Sequence, residues 1–178
     1  MKTLIKKVTT VVITITIITL TFSLKAQTFS HSLGAGILLG EEGGGFGSIY
    51  SPRINILQVG EGMTTSIGTH FALALNTQDE GSSTSQSFIG IELPIMLELN
   101  LGANSHPNNN NSFGGFLGIG YGFSSLSQAD PGEVMVKGVF YNAGLRFKGD
   151  WGIKLAYLEN FNPNIFGGAS IVFQWNIN

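Results

Sequence analysis

Phe88-Ile89-Gly90-Ile91-Glu92-Leu93-Pro94-Ile95-Met96-Leu97-Glu98-Leu99-Asn100-Leu101 decides the fold of this chain. Taken by twos, Ile89, Ile91, Leu93, Ile95, Leu97, Leu99 and Leu101 share one face, and Gly90, Glu92, Pro94, Met96, Glu98 and Asn100 share the other. A helix would repeat its apolar positions every 3.6 residues, so a period of two specifies a strand. The run is far longer than the roughly five to six residues of a common strand, and its apolar face is unbroken.

Working outward, the same rhythm recurs. From Met63 to Asn76, Met63, Thr65, Ile67, Thr69, Phe71, Leu73 and Leu75 oppose Thr64, Ser66, Gly68, His70, Ala72 and Ala74. Further strands are predicted over Phe29–Leu39, Phe46–Leu57, Phe113–Phe123, Val134–Lys148, Trp151–Leu158 and Phe166–Asn178. Turn-forming residues separate them at Gly40–Gly45, Gly60–Gly62, Asn76–Ser85, Gly102–Ser112, Ser125–Glu133, Gly149-Asp150 and Asn160–Asn164. The total is eight, an even number, each near the length of a tilted membrane crossing of about 9–11 residues.

The N-terminus has a different character. Lys2, Lys6 and Lys7 precede an apolar run from Val8 to Leu24, and Ala26 stands before Gln27. This is the layout of a secretory signal peptide, with cleavage expected after Ala26. The expected domains are therefore a leader over 1–26 and a barrel over 27–178. A retained helical anchor is the competing reading, but the run is near the lower limit for a span and is diluted by threonine.

Composition narrows the classes. Charged residues make up only 11% of the 178 residues, with 25 Gly and 13 Phe, and mean hydropathy is +0.24. That is too little charge for an ordinary soluble surface. Beyond Gln27 no apolar run is long enough for a transmembrane helix. A net charge of −2, with no basic run past the leader, gives no basis for nucleic-acid binding. The absence of cysteine removes disulfides, thiol catalysis, cysteine-held metals and a lipid-anchored cysteine.

The placement of charge then orients the barrel. The apolar faces carry almost none, while the opposite faces hold Arg53, Glu92, Glu98, Arg146 and Lys154 among glycine, alanine and serine. Eight strands enclose only the space that side chains fill, so the small and charged faces are expected inside and the bulky ones outside. A soluble carrier barrel would show the reverse. Lipid demands this arrangement, because a closed barrel satisfies its backbone hydrogen bonds internally. The expected fold is an all-β, eight-stranded, antiparallel, up-and-down transmembrane β-barrel.

Glu92-Leu93-Pro94-Ile95-Met96-Leu97 resembles a segment of the small outer-membrane β-barrel domain family related to the OmpA/OmpX-like barrels. Gly115-Phe116-Leu117-Gly118-Ile119-Gly120-Tyr121-Gly122, Asn142-Ala143-Gly144-Leu145-Arg146 and Tyr50-Ser51-Pro52-Arg53 are similar to it as well. The chain departs from the pattern in ending on Asn178 rather than an aromatic residue, leaving Phe173 and Trp175 to give the last strand its aromatic character. The resemblance implies the barrel fold and a place in the outer membrane of a Gram-negative cell, and it transfers no catalytic residue. The partners expected with that location are outer-membrane lipids, lipopolysaccharide and the barrel-assembly machinery.

Several residues are candidates for chemistry. Arg53, Glu92, Glu98, Arg146, Lys154 and His70 should meet in the lumen, where each carboxylate is expected to pair with a cation, since a lone buried charge is costly. A pore lined by opposite charges is the alternative. Trp151, Trp175, Tyr157 and Tyr121 are expected at the membrane interfaces. With both termini in the periplasm, Asn76–Ser85 and Ser125–Glu133 should lie outside the cell and the two tryptophans on the periplasmic side. His31, His70 and His106 allow a lipid hydrolase to be considered, but no G-x-S-x-G motif occurs and nothing joins them into a triad. The loop acids Glu41, Glu42, Asp79, Glu80, Asp130 and Glu133 lack the spacing of a calcium loop. No metal or cofactor is expected. The leading function is a structural or surface-interacting barrel with a filled lumen and no catalysis, ahead of a narrow pore or small-ligand transport component.

Overall fold

The computed structural model describes residues 28–40, 43–78, 86–106, 109, 111–125, 135–164 and 166–177. The leader with its cut after Ala26, the acids at 41–42, 79–80, 130 and 133, and the last residue lie outside these. Nine strands follow in chain order: β1 Thr28–Gly40, β2 Gly43–Gln58, β3 Met63–Thr69, β4 Phe71–Gln78, β5 Gln86–Gly102, β6 Phe113–Ser124, β7 Val136–Phe147, β8 Trp151–Asn160 and β9 Gly168–Ile177. Every pairing is antiparallel, consecutive strands lie side by side except that β3 and β4 follow each other end to end, and β9 returns to β1. Among the described residues the sheet is closed, and every stave has a neighbour on both sides.

Strands β3 and β4 are two halves of one stave, since both pair with β2 on one side and β5 on the other. The single strand expected over Met63–Asn76 is thus interrupted at His70. The cause lies on both flanks. Continuing the registers by one residue puts Pro52 beside Thr69 and Pro94 beside His70. Neither proline has an N–H to give to the ladder. The Thr69 hydroxyl instead donates to the Pro94 carbonyl. A second irregularity lies between Asn55 and Leu57, where a register shift brings Leu57 opposite Thr65.

The registers fix the barrel's shape. From Leu39 the partners run Ala169, Tyr157, Tyr141, Ile119, Leu97, Ile67, Ile54 and then Phe29, back on β1 ten residues from the start. Eight staves with a stagger of ten residues tilt the strands by roughly 40° and give a backbone radius of about 8 Å. At that tilt the ten residues of β8 climb about 25 Å, the height of a membrane barrel's apolar band.

All nine positions on that circuit face outward. The exterior is apolar throughout its height, with Ile95 70% exposed, Leu117 64% and Trp175 53%. Alternate positions turn inward, including Ser66, Glu98, Asn142 and Lys154. The charged, small-residue face therefore lines the lumen, as the sequence pattern predicts.

The interior is less uniformly small than that pattern suggests. Leu38, Ile49, Ala72, Ala74 and Val172 form one buried apolar cluster, and Met96, Val136, Phe140 and Leu158 form another. Glycines on neighbouring strands make the room. At Gly144 an added Cβ would stand 2.3 Å from the Phe116 ring, so the glycine is what lets that ring turn inward.

Candidate functional site

The six polar residues singled out from the sequence all lie in the lumen: Arg53, Glu92, Glu98, Arg146 and Lys154 are buried, and His70 is fully so. They come from β2, β5, β7 and β8 and from the break between β3 and β4. Their partners differ from the direct ion pairs expected. Among the described residues, the one contact within 4.0 Å between a carboxylate and a basic side chain joins Glu92 Oε2 to the His70 imidazole Nε2 at 3.4 Å. Neither carboxylate reaches Arg53, Arg146 or Lys154 at that distance. Amide side chains and the imidazole intervene.

Register explains the substitution. Glu98 lies opposite Gly118, and Gly118 opposite Asn142. Gly118 carries no side chain, so Asn142 Nδ2 reaches over it and donates to Glu98 Oε1 at 2.6 Å. A Cβ at Gly118 would stand 2.2 Å from Asn142 Oδ1. Arg146 sits two inward positions along β7 from Asn142, below the carboxylate. It donates to Asn100 Oδ1 at 2.7 Å, and its guanidinium lies 4.2 Å over the Phe116 ring. Charge is thus dispersed into amides and an aromatic face.

Toward the opposite end a polar series runs Ser124, Glu92, His70, Lys154, in which Glu92 and His70 face each other at 3.4 Å without forming a hydrogen bond. Ser124 bonds to Glu92, and Lys154 Nζ lies 3.1 Å from His70 Nδ1. An ammonium only donates, so Nδ1 is the acceptor and the imidazole proton sits on Nε2, facing Glu92. Acyl transfer would need the order serine, histidine, acid. Here the acid stands between serine and histidine. On the outer face His31 meets the rings of Phe29 and Tyr50. No three metal-ligating His, Cys, Asp or Glu residues converge among the described residues.

The β5–β6 turn adds something that sequence reasoning treated only as a turn. Ala103, Asn104 and Ser105 are buried. The Asn104 carbonyl accepts from Arg53 Nη2 and, at 3.5 Å, from Arg146 Nη1. Thr64 Oγ1 donates to the Ser105 carbonyl at 2.6 Å. Asn109 Nδ2 ties the turn to the Glu61 carbonyl at 3.1 Å. The turn therefore folds under one mouth of the barrel. Asn104 takes a left-handed backbone, φ 55°, which asparagine tolerates.

On the outer face of the barrel, Trp151 stands directly opposite Trp175. Around this pair Phe147 stacks on Trp151 with centroids 4.2 Å apart, Trp151 on Phe173 at 5.7 Å, and Phe113 meets Phe147 edge-on at 5.5 Å. Tyr157 lies about 15 Å higher along the barrel axis, from six residues of strand at this tilt. It approaches Phe166, while Tyr121 stacks against Phe161 at 5.8 Å. Two aromatic groups thus mark the two ends of the apolar band.

No protein-family model and no curated protein matches the sequence. Among solved structures the chain is similar to the outer membrane enzyme PagL, at 11% identity and TM-score 0.48 over 83% of this chain and 99% of that one. It is similar to Neisserial surface protein A, NspA, at 11% identity and TM-score 0.45 over 83% and 92%. A third is Ail, the attachment invasion locus protein of Yersinia pestis, in complex with the heparin analogue sucrose octasulfate, at 13% identity and TM-score 0.45 over 85% and 97%. At such identities the likeness is one of fold. The closed eight-stave architecture is the one implied by the OmpA/OmpX-like resemblance.

Proposed function

We propose that this chain is an outer-membrane barrel with a structural or surface-interaction role, a lumen closed by its own side chains, and no catalysis of its own. The filled interior carries the reading. In the cavity at mid-lumen, bounded by Arg53, Arg146, Lys154 and Glu98, the centre of a water-sized sphere has only about 10 Å³ in which to move, too narrow for a continuous water-filled path. Below it the turn carrying Asn104 and Ser105 lies across the mouth. The apolar exterior fits lipid, including the acyl chains of lipopolysaccharide. Removal of a leader after Ala26 and recognition of the Phe173–Trp175 strand by assembly machinery complete the proposal.

Conductance across a planar bilayer tests it. The purified protein, first shown to run with heat-modifiable mobility on a gel, is expected to produce no discrete current steps. Reproducible steps that survive reinsertion would replace this reading with the narrow pore.

A further inference from the structure

The mid-lumen cavity has an unusual charge balance. Arg53, Arg146 and Lys154 line it, against the single carboxylate of Glu98, which Asn142 already engages. Glu92 stands on the far side of His70. The Nε atoms of Arg53 and Arg146, both deeply buried, have no hydrogen-bond partner among the described residues. The hydroxyl-bearing pair Ser32 and Ser51, register partners on β1 and β2, lines the same space.

Such a surplus of positive charge inside a membrane-embedded wall is costly without a counter-charge. A water molecule would accept from one guanidinium but leave the surplus. The centre of a water-sized sphere has only about 10 Å³ in which to move here, so the space suits a single round ion better than a tetrahedral oxyanion. A halide is only slightly larger than water, accepts hydrogen bonds from several directions and carries the missing charge. We propose that the lumen binds one monatomic anion of the chloride class between Arg53, Arg146 and Lys154. The site goes beyond the closed-lumen reading: a bound ion that does not pass through produces no current, so the conductance experiment and this one fail separately.

The test is thermal unfolding of the detergent-solubilised full chain in sodium chloride, sodium bromide or sodium gluconate at equal ionic strength. Gluconate is too bulky to enter. A ligand held only by the folded state raises the midpoint with its concentration, so chloride and bromide at ten times their dissociation constant should exceed gluconate by about 4 °C. Arg146→Met is expected to remove the difference. Glu98→Gln, which takes away the one opposing charge, is expected to tighten halide binding several-fold. Equal midpoints in all three salts would overturn the proposal, as would a halide effect unchanged in both variants. If Arg146→Met fails to assemble, the Glu98→Gln result decides. If neither variant assembles, broadening of the chloride-35 resonance by the unsubstituted protein decides, and no broadening beyond the detergent blank overturns the site.

Discussion

Asn142 holds Glu98 across an intervening strand, donating from Nδ2 to Oε1 at 2.6 Å over the bare backbone of Gly118. The pair and the glycine form one unit, because either side chain needs the space that the third residue leaves. Asn142→Ala strands a buried carboxylate and is expected to lower stability by about 1–3 kcal/mol. Gly118→Ala should destabilise as well, since its Cβ would meet Asn142 Oδ1 at 2.2 Å, whereas Gly62→Ala, with nothing nearer than 3.5 Å, should be close to neutral. Urea unfolding midpoints measure all three. If Asn142→Ala and Glu98→Gln prove additive when combined, the two side chains are not coupled.

Arg146 should matter far more than an outward lysine. Its removal takes a hydrogen bond from Asn100, another from the Asn104 carbonyl and a cation–π contact from Phe116. Arg146→Ala is expected to cost about 3 kcal/mol. Lys137 lies exposed on the outer wall, and Lys137→Ala should change stability by less than about 0.5 kcal/mol. Equal urea midpoints for the two variants would contradict the buried role.

Trp151 and Trp175 share a level by register, so the two indoles should sit at one depth in a bilayer. Single-tryptophan proteins, Trp151→Phe and Trp175→Phe, allow each to be read alone. Quenching by lipids brominated at different acyl positions is expected to be strongest for the shallowest bromine in both proteins, as for rings at a membrane interface. Different depths would show that the pair does not mark a membrane surface.

Orientation follows from the parity of the staves. The turns at Glu61 and Asn109 lie at the mouth covered by Asn104, and Asn162 lies at the other end. With both termini in the periplasm, Glu61 is expected inside the cell envelope and Asn162 on the cell surface. The chain has no cysteine, so Glu61→Cys and Asn162→Cys each introduce one thiol. An impermeant maleimide on intact cells should label Asn162→Cys and leave Glu61→Cys unlabelled. The opposite pattern would invert the topology.

The barrel was legible in the sequence because its signal is distributed. Each of eight segments repeats the same alternation, and the rule that small and charged faces turn inward needs no knowledge of neighbours. Arg53 and Glu98 could be placed inside by parity alone. Their partners could not, because a partner depends on register, and register depends on turn lengths and on where ladders slip. Asn142 and Asn100 looked like ordinary polar residues until Gly118 and Phe116 fixed what stood beside them. Asn104 was read as turn, since nothing in the local sequence says that a turn folds under the mouth. The break at His70 had its cause in Pro52 and Pro94, on two other strands.

That break has a consequence for how the wall trades hydrogen for deuterium. A closed cylinder has no border to fray, so its amides ordinarily wait for a cooperative opening before they exchange. Between Pro52 and Pro94 the ladder lacks donors at the waist, and only the Thr69 hydroxyl repairs part of the loss. The amides of Thr69, His70 and Phe71 should therefore be among the earliest strand amides to exchange, ahead of strand positions nearer either mouth. This cylinder is expected to loosen first around its middle, at the depth where a surrounding bilayer would offer the least water.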